Sequence, residues 1–161
     1  MTSRRIYRSI LLILLFAAVF MESCEVQPGL SEGETEQKVF RLVNDHRLGS
    51  GLSTLEWNDA IAGQCRSHSR DMASGTVPFG HGGFDQRIAN ILALVSFSLA
   101  GENLALISEY PNPAEKALQN WLNSQDHLEN IEGNFDLTGV GVAKKGDNTY
   151  YITQIFVLSS N

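Results

Sequence analysis

An α+β domain, with helices packed against an antiparallel sheet of three to four strands, is what this sequence predicts. Three observations carry that expectation. Helix-starting and helix-stopping residues punctuate the chain up to about Leu122. A stretch with strand-like alternation, Leu99 to Ile107, interrupts the helical pattern. Beyond Val140 the period changes to that of a hairpin, and helices followed by paired strands make this fold class.

Taken in order, the first helix is announced by Ser31 and Glu34 at capping-box spacing, with Val39, Leu42, Val43 and His46 as its stripe. A strand-like piece follows near Leu52 to Trp57. Asn58 then caps a second helix, which Gly75 stops. Its apolar face runs Ile61, Cys65, His68 and Met72, at i, i+4, i+7 and i+11. In the stretch from Leu99 to Ile107, one side carries Ala100, Glu102, Leu104 and Leu106. Asn112 as N-cap, Pro113 at the first helical position and Glu115 closing a box give the clearest helix, with Ala114, Ala117, Leu118, Trp121 and Leu122 facing inward. Val140 and Val142 alternate before a turn at Lys145-Gly146-Asp147-Asn148, and the run Thr149 to Val157 completes a hairpin.

With 161 residues and 43% hydrophobic content, the chain buries one substantial core. Residues 1 to 23 have the layout of a secretory signal: Arg4, Arg5 and Arg8 precede an apolar run, Ile10 to Met21, that is short for a membrane span. The mature protein is therefore expected outside the cell or in the cell envelope. Met21-Glu22-Ser23-Cys24 loosely resembles a lipoprotein signal, which makes Cys24 a candidate lipid-modified N-terminus; ordinary cleavage nearby is the alternative. A Cys24 to Cys65 disulfide is a third option, while Cys65 alone reads as a small buried hydrophobe.

Without residues 1 to 23 the formal charge moves from -6 to -8, with 9 basic against 17 acidic residues. Nucleic acid is thereby excluded as a natural partner, and no basic amphipathic helix suggests adsorption to a membrane. Residues 24 to 34 are acidic with little to bury and read as a leader, so the folded domain is expected over 35 to 158.

Two residues on apolar faces demand an explanation. Glu102 sits in the middle of an apolar strand side, where an ionised carboxylate must be hydrogen-bonded, paired, metal-bound or at a cavity edge. His68 lies on an apolar helix face and is a candidate partner for it.

The ordered series Asn44 to Arg47, Leu55-Glu56-Trp57-Asn58, His68-Ser69-Arg70-Asp71-Met72, Phe79-Gly80-His81, Gly101-Glu102-Asn103, Trp121 through Ser124 to His127, Asn130-Ile131, Thr138-Gly139-Val140-Gly141-Val142 and Tyr150 to Phe156 resembles the CAP superfamily. That group comprises cysteine-rich secretory proteins, antigen 5 and pathogenesis-related proteins, and the chain is similar to its bacterial, SCP-like branch over about residues 35 to 158. The resemblance implies an α-β-α sandwich, with the sheet between helical layers.

It also implies a surface cleft that in many eukaryotic members holds two His and two Glu able to bind a divalent metal. His68 and Glu102 match two of those positions, while Ser124 and Tyr151 stand where a Glu and a His are expected. His127 and His81 match positions often held by His in bacterial relatives. The resemblance thus implies a cleft of His68, Glu102, His127, Ser124 and Tyr151, with His68, Glu102, His127 and His81 or water as a zinc set. No tight ligand spacing supports a metal independently, so none is required and zinc or another divalent ion is only a candidate cofactor.

Each residue also has a purely structural reading. His68 then is a hydrogen-bonded core histidine locked by Glu102, His127 a helix C-terminal residue favoured by the dipole, His81 a loop residue, and His46 a solvent-edge residue of the first helix. Gly80, Gly82 and Gly83 lack the strand and Lys-Ser or Lys-Thr pair of a phosphate loop. Ser69 and Ser124 lack the glycine setting of a nucleophile elbow. Two function classes follow. One is a non-enzymatic binding module for an apolar small molecule such as a lipid, an envelope component or a protein partner. The other is a metal-assisted or acid/base hydrolase using His68, Glu102 and His127, which the departures at Ser124 and Tyr151 disfavour.

Overall fold

The computed structural model describes residues 29 to 146 and 148 to 160. The signal-like segment, Cys24 and its pairing with Cys65 lie outside the described residues.

Helix α1 spans Glu32–Gly49, and its capping box is fully formed. Ser31 Oγ accepts from Glu34 N at 3.2 Å, and Glu34 Oε2 accepts from Ser31 N at 2.9 Å. The helix begins inside the segment read as an acidic leader: residues 32 to 34 belong to the folded domain, because the cap fixes its first turn there. After α1, the motif that starts at Asn44 secures the descending chain. The Asn44 side chain clasps both backbone groups of Leu55, and buried Arg47 donates to the carbonyls of Ser53, Ile131, Gly133 and Phe135. One guanidinium thereby satisfies carbonyls of two irregular segments at once.

Only Glu56–Trp57 of the expected first strand is regular, as β1. Helix α2, Asp59–Ser74, starts at Asn58, whose side chain accepts from Ala60 and Ile61, and stops at left-handed Gly75. Helix α3, Phe84–Leu92, was not visible as an element in the sequence. Its N-cap is Gly83 in the left-handed region, so no Ser, Thr, Asp or Asn marks its start.

Strand β2 runs Phe97–Ser108 and is followed by α4, Pro113–Leu122, and α5, Gln125–Glu132. Pro113 occupies the first turn of α4 as expected, yet Asn112 makes no side-chain cap and Glu115 instead takes Lys38 Nζ at 2.7 Å. Strands β3, Leu137–Lys145, and β4, Thr149–Ser159, form the hairpin.

The sheet is four-stranded in the order β1-β3-β4-β2. Its three long strands are antiparallel, whereas short β1 joins β3 in parallel, a mixed edge that the helix-then-hairpin reading did not contain. One core lies between the sheet and α1, α4 and α5, built on Val39, Val43, Trp121, Val140, Ile152 and Phe156. A smaller one on the other face joins Ile61, Cys65 and Ile91 to Ile155 and Val157. Helices thus cover both faces, giving the α-β-α sandwich.

Alternate residues of β3 explain how closely α2 approaches. Val140 and Val142 point into the larger core, while a Cβ at Gly139 or Gly141 would collide with the backbone of Ala62 or of Cys65 and Arg66. Helix backbone rests directly on strand backbone there. Cys65 Sγ donates to Gly139 O at 3.2 Å, and Ser69 Oγ to Gly141 O at 2.9 Å.

Candidate functional site

Four elements meet at one corner of the α2 face. Helix α2 directs His68 inward beside Cys65 and Met72. Strand β2 sets Glu102 opposite Ile155 of β4, on the same face of the sheet. The glycine-rich loop before α3 brings the Gly80 and Gly82 carbonyls and His81, and α3 supplies Arg87.

Arg87 is the centre of the cluster. Its Nε donates to Glu102 Oε2 at 2.9 Å, and Nη2 lies 2.7 Å from both carboxylate oxygens. Nη1 donates to Gly82 O at 2.8 Å and to His68 Nδ1 at 3.2 Å. With the Arg87 and Glu102 side chains only 9% and 2% exposed, this is a buried, multiply bonded ion pair.

The pair fixes the state of both neighbouring imidazoles. His68 Nδ1 accepts from Arg87, so Nε2–H donates to Gly80 O at 3.0 Å, and both ring nitrogens are used. Burial, then the Arg87 charge, holds the His68 pKa below its ordinary value, as a neutral core histidine requires. His81 Nδ1 donates to Glu102 Oε1 at 2.9 Å. The His81 ring is 58% exposed, and its Nε2 makes no hydrogen bond among the described residues.

His68 and Glu102 are therefore neighbours through Arg87 rather than direct partners. Glu102 is buried and paired as expected, but its partner is a residue that the sequence reading missed. Arg87 shares an apolar face with Phe84, Ile88 and Ile91, and an Arg on such a stripe, with an unpartnered buried carboxylate elsewhere, was the available signal.

The remaining site residues are placed as follows. His127 lies in the first turn of α5, correcting its reading as a helix C-terminal residue; α4 ends at Leu122 and a new helix starts at Gln125. Its carbonyl accepts from Asn103 Nδ2 at 3.0 Å, and its buried Nδ1 has no hydrogen-bond partner among the described residues. Burial and then the charge of nearby His81 lower its pKa. Ser124 is the N-cap of α5 without a side-chain cap bond. Tyr151, half-buried on β4 opposite Leu106, faces the Phe79 ring at 6.4 Å. No hydrogen bond joins Ser124 or Tyr151 to His68, Glu102 or His127 among the described residues. His46 sits apart, with Nε2 2.9 Å from Glu132 Oε1.

The expected zinc set of His68, Glu102, His127 and His81 does not assemble. Among the described residues no three His, Cys, Asp or Glu side chains group to hold an ion. Both Glu102 oxygens and both His68 nitrogens are already bonded, so the residues present do not fit a metal between them. The adjacent cavity, between α2 and α3, is small at about 250 Å³ and lined by polar groups including Gln64, Ser67, Asp71 and Arg87.

Known proteins share this architecture. Residues 40–157 match the cysteine-rich secretory protein family, CAP. The uncharacterized membrane protein YlbC of Bacillus subtilis (strain 168) is 33% identical over 129 residues, covering 76% of this chain and 34% of its own. An extracellular protein containing a SCP domain from Bacillus anthracis is also 33% identical, with a TM-score of 0.67 over 80% of this chain and 41% of that one. An outer surface protein of Borrelia burgdorferi shares the fold at 22% identity and a TM-score of 0.68, covering 83% of this chain and 98% of its own. The chain thus spans well under two thirds of the two Bacillus proteins. The match over most of the chain, on a sandwich built around His68, Glu102 and the β3–β4 hairpin, shows that this protein belongs to the cysteine-rich secretory protein (CAP) family.

Proposed function

We propose that this protein is an exported CAP-domain module that binds a polar envelope component or a protein partner through the face around His81, without chemically altering it. The saturation of Glu102 carries the reading. A carboxylate whose oxygens are filled by Arg87 and His81 has no lone pair to spare for a water or substrate proton, so it orients His81 rather than reacting. Export is supported by the Arg-then-apolar start of the sequence and by similar proteins described as extracellular or outer-surface. Cys24 would then be either a lipid anchor or, after ordinary cleavage nearby, a residue of the leader. An enclosed apolar ligand is the weaker option, since the cavity beside the site falls below the roughly 300–1,000 Å³ typical of small-molecule pockets.

One observation favours the second reading, a hydrolase. A carboxylate on Nδ1 leaves the exposed Nε2 of His81 as an oriented proton acceptor, the arrangement of a general base. Its base is then His81 rather than Glu102, and no Ser, Thr or Cys is hydrogen-bonded to it among the described residues. Co-sedimentation of the purified protein with cell-envelope fragments separates the two. Binding that weakens on His81→Ala or Phe79→Ala, with no soluble product released, is expected; product release abolished by His81→Ala would establish the hydrolase instead.

A further inference from the structure

The tip of the β3–β4 hairpin and the end of β2 frame an open cavity that none of the residues around Arg87 lines. Its volume is about 560 Å³, against about 250 Å³ beside Arg87, and it falls inside the roughly 300–1,000 Å³ of ligand pockets. We propose that this cavity binds a neutral saccharide, with Tyr110 and Pro111 as an apolar platform and Glu109, Lys144 and Asn148 as partners of sugar hydroxyls. It does so whatever the face around His81 binds.

The lining determines the class of ligand. Tyr110 remains 44% exposed with Lys116 Nζ over its ring at 5.6 Å, and Pro111 is the next residue. The two side chains offer flat apolar surface to the C–H face of a pyranose ring. Beside them stand three polar groups of different kinds. The Glu109 carboxylate only accepts hydrogen bonds, the Lys144 ammonium only donates, and the Asn148 amide does both. Among the described residues none of these three groups is hydrogen-bonded or ion-paired; Lys144 Nζ lies over the Tyr150 ring at 5.4 Å. A sugar hydroxyl both donates and accepts, so neighbouring hydroxyls can use all three. Charge disfavours the other ligand classes. An anion would meet Glu109 and a cation would meet Lys144, whereas a neutral polyol meets neither penalty. An apolar molecule would strip water from both charges and return no hydrogen bond.

The backbone holds these groups in place. Among the described residues, Glu109 and Asn148 are the two non-glycine positions with left-handed backbone, at φ 55° and 61°, and Glu109 N donates to Asn148 O at 3.4 Å. Asn tolerates that conformation, but Glu is strained in it. Glycine would be the relaxed residue at 109, so the carboxylate there has a use other than forming the turn. Two further bonds brace the rim. Ser108 Oγ and Thr149 Oγ1 lie 3.0 Å apart across β2 and β4, and Lys144 N donates to Glu32 Oε1 at 2.8 Å, which ties the hairpin to the start of α1.

Titration of the purified protein with maltotriose, cellotriose and acetylated chitotriose, followed through its backbone amide NMR shifts, tests the site. At least one of these neutral trisaccharides should shift the amides of Tyr110, Lys144 and Asn148 and leave those of Phe79 and His81 in place. Tyr110→Ala and Glu109→Gly should each weaken that binding at least about tenfold. Glu109→Gly separates binding from folding, because relief of the left-handed strain should raise its thermal midpoint while affinity falls. His81→Ala should bind the sugar as wild type does, so failure here and failure of the reading built on His81 are distinct results. The proposal is overturned if none of the three sugars causes a shift, if the shifts lie elsewhere on the domain, or if Tyr110→Ala and Glu109→Gly bind as wild type does.

Discussion

Arg87 and Glu102 form a three-contact ion pair at 2.7 to 2.9 Å beneath the surface of the α2 face, joining a helix with no cap side chain to the middle of an edge strand. Breaking one partner is much worse than replacing both. Glu102→Gln should destabilise the protein by about 3–5 kcal/mol, because a buried guanidinium is left uncompensated. Arg87→Met with Glu102→Leu should recover a large part of that loss. Urea denaturation of Arg87→Met, Glu102→Leu and the double variant checks the coupling.

The contact of α2 with β3 predicts opposite outcomes for two similar changes. Gly141→Ala drives a methyl into the backbone of Cys65 and Arg66 and should cost about 3 kcal/mol or more, the upper end for overpacking. Gly63→Ala, on the exposed side of α2 with nothing within 4 Å, should stabilise by about 0.5–1 kcal/mol through helix propensity. Thermal midpoints that shift the same way for both would contradict the packing described.

Stability should decline with acid through histidine. The pKa values of His68 and His127 are lowered in the fold, chiefly by burial, so the unfolded chain takes up protons first. Their contribution is complete above the unfolded value of about 6.5 and is lost as pH falls below it toward the folded pKa values. A His127→Gln variant should show a shallower decline between about pH 6.5 and 5 than wild type. Identical slopes would mean that His127 titrates normally in the fold.

Asn103 predicts local loosening. Its side chain donates to His127 O and accepts from Asn130 Nδ2, so it stitches β2 to α5. Asn103→Ala should cost about 1–3 kcal/mol, as buried partners lose their bonds. Amide exchange should rise first in Gln125 to Glu132. Uniform acceleration across the domain would show that α5 is not a separate unit.

How much was legible in the sequence follows from which signals are local. The capping box at Ser31 and Glu34, the Asn58 cap and the Gly75 stop depend on a few consecutive residues, and they appear in the fold as read. The need of Glu102 for a partner was equally plain. Its identity was not, because α3 begins at a left-handed glycine with no capping side chain and follows a loop of glycines. Ser124 starts α5 without a cap bond, so nothing local marks a second helix after Leu122, and the structural reading of His127 as a helix C-terminal residue gives way to a place in the first turn of α5. Alternation in β2 predicted burial of the Glu102 side, yet Leu106 on that side is exposed, while Gly101, Asn103, Ala105 and Ile107 of the other side are buried, because α5 and α4 cover that face. Gly101 in particular stays a glycine for Asn130, which a Cβ there would strike.

Cys65 turns the α2 seam into a reporter of its own opening. The thiol is 0% exposed, donates to Gly139 O, and has its pKa pushed far up by burial, so thiolate chemistry is suppressed while the helix stays seated. An alkylating reagent reaches Sγ only when α2 lifts from the glycines of β3. The labelling rate of this sulfur, followed against reagent concentration, then counts those excursions directly and times the closing step, with the fold acting as the thiol's protecting group.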